Sequence, residues 1–123
     1  MSSIARQLAG PNLTFDVAEQ IGELRGDEAY ARSGRSGRTL VKAGTLRLTL
    51  TCLASGAEVE THHADLPMTL QPVEGRLRYR VGDDRFEIGA GEVLFFGPGH
   101  AQDIVALEDT ALLLTISRDP SES

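Results

Sequence analysis

The chain is poor in several things, and each shortage closes a class of structure or function. One cysteine among 123 residues leaves no internal disulfide, no zinc ribbon and no CxxC redox pair. Tryptophan is absent and aromatic residues make up only 5%, so the core has to be built from Leu, Val, Ile and a little Phe. Long apolar runs are missing. Val93–Phe96 and Ala111–Leu114 are the most apolar stretches, far short of the roughly 20 residues that span a bilayer. The opening MSSIARQLAG has one arginine and no apolar segment, so it does not read as a signal peptide. The expectation is a cytoplasmic protein with no membrane contact. Cations are also scarce: Lys+Arg is 12 against 18 for Asp+Glu, a net charge of −6. A general nucleic-acid surface needs the opposite balance. No G-x-S-x-G or phosphate-loop pattern occurs.

What is present is 41% hydrophobic, 24% charged and rich in glycine, with 13 of them. That is a globular composition with many tight turns. Residues 15–25, FDVAEQIGELR, place Val17, Ile21 and Leu24 on one helical stripe. Asp16 can cap the helix and Gly26 can end it, so one helix is predicted near residues 16–25. Arg32, Arg35 and Arg38 then recur among Gly and Ser. They read as a solvated, flexible connection, with an anion-binding loop as the sharper alternative.

From residue 39 the period becomes two. Leu46, Leu48, Leu50 and Cys52 alternate with threonines and arginine, and that face must enter a core. Strand patterns follow at Met68–Val73, Leu77–Val81, Arg85–Ile88, Glu92–Phe96, Ala101–Leu107 and Ala111–Ser117, separated by glycine-bearing turns. Short strands at such spacing mean an all-β sandwich or barrel. The division is a leader with its helix over 1–38, a β-barrel over 39–117 and a frayed tail over 118–123.

The order of glycines narrows the topology. Gly56 is followed by five residues and His62; Gly75 lies thirteen further on at a strand-to-strand turn; Gly91 precedes Gly97-Pro98-Gly99. This framework resembles the two motifs of the cupin superfamily, G-x5-H-x-H-x3,4-E-x6-G and G-x5-P-x-G-x2-H-x3-N. Val73-Glu74-Gly75-Arg76-Leu77 is similar to the turn between them. The stretch YARSGRSGRTLVK resembles the leader of a subgroup of small single-domain cupins. The resemblance covers roughly residues 40–117 and implies a jelly-roll β-barrel (a double-stranded β-helix), often a homodimer.

The resemblance also implies where a metal would be held, and there the chain departs from it. The first ligand position is His62. The second is Ala64, the glutamate position is Met68, and the last histidine position is Gln102. The proline position is Gly97 and the asparagine position Ala106. The expectation is therefore no native metal. The alternative is a divalent transition metal on His62, His63 and His100, with Asp65 beside them, in a dioxygenase- or isomerase-type enzyme. A metal-free acid–base enzyme using His62, Asp65 or Asp103, and Tyr79 is a weaker reading.

With Ala64 and Met68 in place of charged ligands the barrel mouth becomes mostly apolar, with His62 and Gln102 as its polar pair. That is the chemistry of a small-molecule pocket. Phe95, Leu70 and Tyr79 are candidate walls. The leading expectation is a non-catalytic binder of a small, mostly apolar ligand; equally open is an interior that simply closes, filled by Met68. Finally, Val93 and Phe95 share one face of a strand and Leu94 and Phe96 the other. A sheet apolar on both faces must be covered on both, and a second copy of the chain is the expected cover.

Overall fold

The computed structural model describes residues 10–58, 67–96 and 102–117. Two helices, α1 (Val17–Arg25) and α2 (Glu28–Ser33), precede eight strands. These are β1 (Arg35–Ala43), β2 (Leu46–Leu53), β3 (Met68–Glu74), β4 (Arg76–Val81), β5 (Asp84–Gly89), β6 (Leu94–Phe96), β7 (Gln102–Ala106) and β8 (Thr110–Ser117). They form a five-stranded sheet in the order β1-β2-β8-β3-β6 and a three-stranded sheet in the order β5-β4-β7. Every named pairing is antiparallel. The fold is all-β, a jelly roll with short helices before it.

Helix α1 forms where the stripe predicts it. The Asp16 carboxylate accepts from the Glu19 N–H at 3.1 Å, satisfying one of the free donors of the first turn. Ile21 and Leu24 are buried. The flexible connection expected across Ala31–Arg38 is corrected. Glu28–Ser33 is a second helix, and β1 opens at Arg35, four residues before the barrel boundary drawn at residue 39. Helix α2 buries no residue, so no apolar stripe announces it. Arg32 pairs with Glu28 one turn away at 3.0 Å, and Gly34 ends the helix at φ 77°, a left-handed conformation that glycine adopts without a steric cost. The three arginines part company: Arg32 stays on α2, while Arg38 reaches α1, donating to Glu23 at 2.6 Å and Gln20 at 2.5 Å. They do not make an anion-binding loop.

Strand β8 is itself apolar on both faces. It lies between β2 and β3, and a hydrophobic core packs against each of its faces. Leu112 points between the sheets, into a core of Leu53, Met68, Leu70, Leu77, Ile88, Ile104 and Ala106. Ala111 points the other way, into a second core of Ile21, Leu24, Leu40, Leu50 and Cys52. The alternating face of β2 therefore does enter a core, at Leu50 and Cys52, but it is the core beneath α1 rather than the barrel interior. Its other face, with Thr49 and Thr51, looks inward.

The chain passes from the larger sheet to the smaller at Gly75, between β3 and β4. Here φ is 90°, and a β-carbon would lie 2.5 Å from the Asp109 carbonyl oxygen and 2.7 Å from Thr110 Cα. Only glycine fits that approach. The Thr110 hydroxyl is fully buried and donates to the Glu108 carbonyl at 2.7 Å, with the Arg76 carbonyl 3.1 Å away.

Candidate functional site

Strands β1, β2 and β8, helix α2 with its N-cap Asp27, and Glu58 frame a cleft on the inner side of the larger sheet. In register, Gly37 of β1 lies opposite Thr51 of β2, which lies opposite Leu112 of β8. One step along, Thr39, Thr49 and Leu114 make the parallel row. At the β1–β2 end these rows carry glycine and threonine, with little bulk, whereas toward β8 they carry leucine. The difference leaves a cleft of about 470 Å³ whose lining includes Gly37, Thr51, Leu53, Leu114, Arg35 and Glu58. Its surface is mainly apolar. Charge enters at one end, where the Arg35 guanidinium approaches the Glu58 backbone carbonyl at 3.4 Å. Beside it the Ser36 hydroxyl donates to the Asp27 carboxylate at 3.1 Å.

The sequence-predicted site residues are placed as follows. Met68 is buried in the core between the sheets. Gln102 opens β7 opposite Arg80, and its side chain lies outside the described residues. His62, His63, Ala64, Asp65 and His100 lie outside the described residues as well. Of the expected walls, Leu70 is fully buried and Tyr79 packs against the same core. Phe95 is corrected: it is 64% exposed, because it pairs with Thr69 on the outer face, while Leu70 and Leu94 take the inner one. Gly37, Thr51 and Glu58 line the cleft without having been singled out by the sequence, whereas Arg35 stands out only as one of the arginines of the Gly/Ser stretch. Thr51 does carry a signal: alternation fixes two faces of β2, and the threonine face is the one that looks inward.

Metal chemistry can be tested at the one implied ligand position that is described. Met68 stands where the cupin pattern has glutamate, and its thioether is packed among Leu70, Leu77 and Leu112. A soft thioether in an apolar shell does not replace a carboxylate for zinc or iron. Among the described residues no group of three or more His, Cys, Asp or Glu converges for a metal. Met68 therefore offers no ligand in place of the glutamate of that pattern.

One further titratable cluster sits in the second core. Burial pushes the Cys52 thiol up, partly offset by Arg25 nearby. Arg25 itself loses solvent, which pulls its pKa down, but its 2.7 Å ion pair with Glu74 more than offsets that. Two of its nitrogens, Nε and Nη2, have no hydrogen-bond partner.

No family model matches the chain, and no curated protein matches it. Solved structures do. A conserved protein of unknown function from Streptococcus pyogenes superposes with a TM-score of 0.68 at 17% identity, over 91% of this chain and 92% of its own. A cupin superfamily protein from Desulfitobacterium hafniense gives 0.62 at 15% identity, over 69% and 78%. An RmlC-like cupin from Shewanella frigidimarina gives 0.63 at 21% identity, over 73% and 81%. At such identities the likeness is one of architecture. Two stacked antiparallel sheets, the glycine switch at residue 75 and these superpositions lead to one conclusion: the chain has the cupin fold.

Proposed function

We propose that this protein binds a small ligand with a mostly apolar body in the cleft beside β1 and β2, without catalysing a reaction on it. The observation that carries the reading is the cleft itself. Its volume of about 470 Å³ falls in the range of small-molecule sites, about 300–1,000 Å³. Leu53 and Leu114 supply apolar wall, and Arg35, Thr51 and Glu58 supply the few polar groups that orient a ligand. His62 and Gln102 are proposed as a further polar pair of the same mouth.

The test uses 1-anilinonaphthalene-8-sulfonate, an apolar ring system with one anionic group, as the probe. Gly37 has an ordinary backbone conformation, and a β-carbon there meets its neighbours at 3.6 Å, normal van der Waals contact. Gly37→Leu therefore fills the cleft without strain. The dye is expected to bind the native protein and to bind the variant at least about fivefold more weakly, the scale of one lost apolar contact region. Equal binding by a folded Gly37→Leu protein overturns the reading.

We also propose that the protein is a homodimer through the outer face of the larger sheet. Across all five strands runs the row Val41, Leu48, Thr115, Thr69 and Phe95. It ends on a Phe95 that is largely solvent-exposed, and Val93 beside it is 59% exposed. Val41 and Leu48 already pack against the core beneath α1, so Phe95 and Val93 at the β6 edge are the exposed apolar surface that favours a protein cover.

A further inference from the structure

The smaller sheet turns a basic face outward on a chain that is acidic as a whole. In β4, Leu77 and Tyr79 pack inward against the core, so Arg76, Arg78 and Arg80 point away from it. Arg76 is engaged by Glu87 at 3.2 Å. Arg80 is held by Asp103, which accepts from its Nε at 2.7 Å. Among the described residues no carboxylate pairs with Arg78, and none pairs with Arg85 of β5.

Three features make this more than a solvated face. Arg80 and Arg85 stand directly opposite each other across the β4–β5 ladder. Like charges in that relation destabilise a sheet, since their side chains are only about 5 Å apart at Cβ. The arginines also surround a concavity of about 290 Å³ whose lining includes Arg78, Arg80, Arg85, Val105, Glu58 and Asp103. Asp103, finally, has φ 54°, the one positive value at a non-glycine position among the described residues. It sits where the β4–β7 register shifts, and from there its carboxylate fixes Arg80. The Asp103 carboxylate holds one guanidinium, while Arg78, whose cross-strand neighbour Glu87 turns to Arg76, and Arg85 have no carboxylate partner among the described residues.

We infer that this face, on the outer side of the smaller sheet, is a receptor for a small multivalent oxyanion, with Glu58 at the border it shares with the cleft beside β1 and β2. Arg78 and Arg85 bind the anion, and Arg80, held in place by Asp103, shapes the wall between them. A guanidinium presents its N–H donors in a planar fork that matches phosphate and carboxylate oxygens. An anion seated between Arg78 and Arg85 also offsets the charge that Arg85 sets against Arg80 across the ladder. Glu58 limits the site to ligands compact enough to keep their charge on the Arg85 side.

The experiment follows backbone amide signals by NMR during titration with inorganic pyrophosphate and, separately, citrate, at constant ionic strength made up with sodium chloride. Shifts are expected in residues 76–88 and 105, saturating near or below about 1 mM at low salt and weakening several-fold at 150 mM, roughly where screening acts within about 8 Å. Tighter binding of pyrophosphate identifies a phosphate-bearing ligand; tighter binding of citrate identifies a polycarboxylate. Arg78→Gln and Arg85→Gln are each expected to raise the half-saturation concentration at least about tenfold. Without anion, Arg85→Gln is expected to melt about 1–2 °C higher, because it removes the opposed charge. Absence of saturable shifts with both anions, unchanged binding by the two variants, or a lower melting temperature for Arg85→Gln overturns the inference.

Discussion

Replacing Gly75 by alanine separates two costs that usually arrive together. The first is conformational. At φ 90° an L-residue is strained by about 1–2 kcal/mol. The second is steric: the new methyl would meet the Thr110 hydroxyl and the Asp109 carbonyl well inside van der Waals contact. Thr110 cannot swing aside without losing its hydrogen bond to the Glu108 carbonyl, and the Asp109 contact is backbone. Overpacking of this kind costs about 1–3 kcal/mol. Gly91 is the control, because its φ of 91° is matched and nothing lies within 4 Å of its missing β-carbon. Gly91→Ala should therefore cost only the first amount, about 1–2 kcal/mol, and Gly75→Ala about 2–5 kcal/mol. With a urea slope of about 1.5 kcal/mol/M, the Gly75→Ala midpoint falls by about 1.3–3.3 M. Urea unfolding followed by circular dichroism on both variants is the assay. If the two alanines cost the same within about 0.5 kcal/mol, the close approach at the sheet switch is not what requires glycine.

Cys52 sets an alkaline dependence. Its folded pKa lies above the ordinary 9.0, so the protonated thiol stabilises the fold fully below that pH and the contribution is lost as pH rises toward the folded value. Unfolding midpoints measured between about pH 7 and 10 should decline more steeply for the native protein than for Cys52→Ala; parallel lines refute it. Phe95→Asp places a charge at the exposed apolar edge of β6, and light scattering should report monomer for the variant and dimer for the native chain; a native monomer at micromolar concentration refutes the dimer. His62→Ala should weaken a ligand found for the cleft by about 1–2 kcal/mol, the scale of one hydrogen bond and an orphaned partner, while His63→Ala does little. Calorimetry with the reverse ranking shows the strand parity to be shifted by one.

The fold was legible because alternation and turns act locally. The hairpin at Gly82-Asp83 and the strands on either side of Gly75 can be read within a few residues of themselves. Helix α1 was legible for the same reason, from three apolar positions and a cap. Helix α2 was not, since an exposed six-residue helix held by one ion pair and a glycine leaves no periodic trace. The cleft was harder to see because it is made of what is small: Gly37 and Thr51 define it by failing to fill space. Which of two cores the Leu50–Cys52 face would enter depended on whether α1 or the second sheet lay over it, a long-range fact that parity cannot decide. The opposed Arg80 and Arg85 were visible only once the ladder register was known.

The position of β8 has a consequence for how the molecule is made. Its partners β2 and β3 are complete by residue 74, yet the strand that belongs between them begins at residue 110. During synthesis the hairpin of β1 and β2 can pair by itself, as can that of β4 and β5, but the larger sheet has an empty lane until β8 emerges. Both hydrophobic cores use that lane, one on each side. Closing it is a high-contact-order event that comes late in folding. A nascent chain stalled before Thr110 therefore exposes two unpaired strand edges and two half-built cores at once, the combination most prone to pair with another chain.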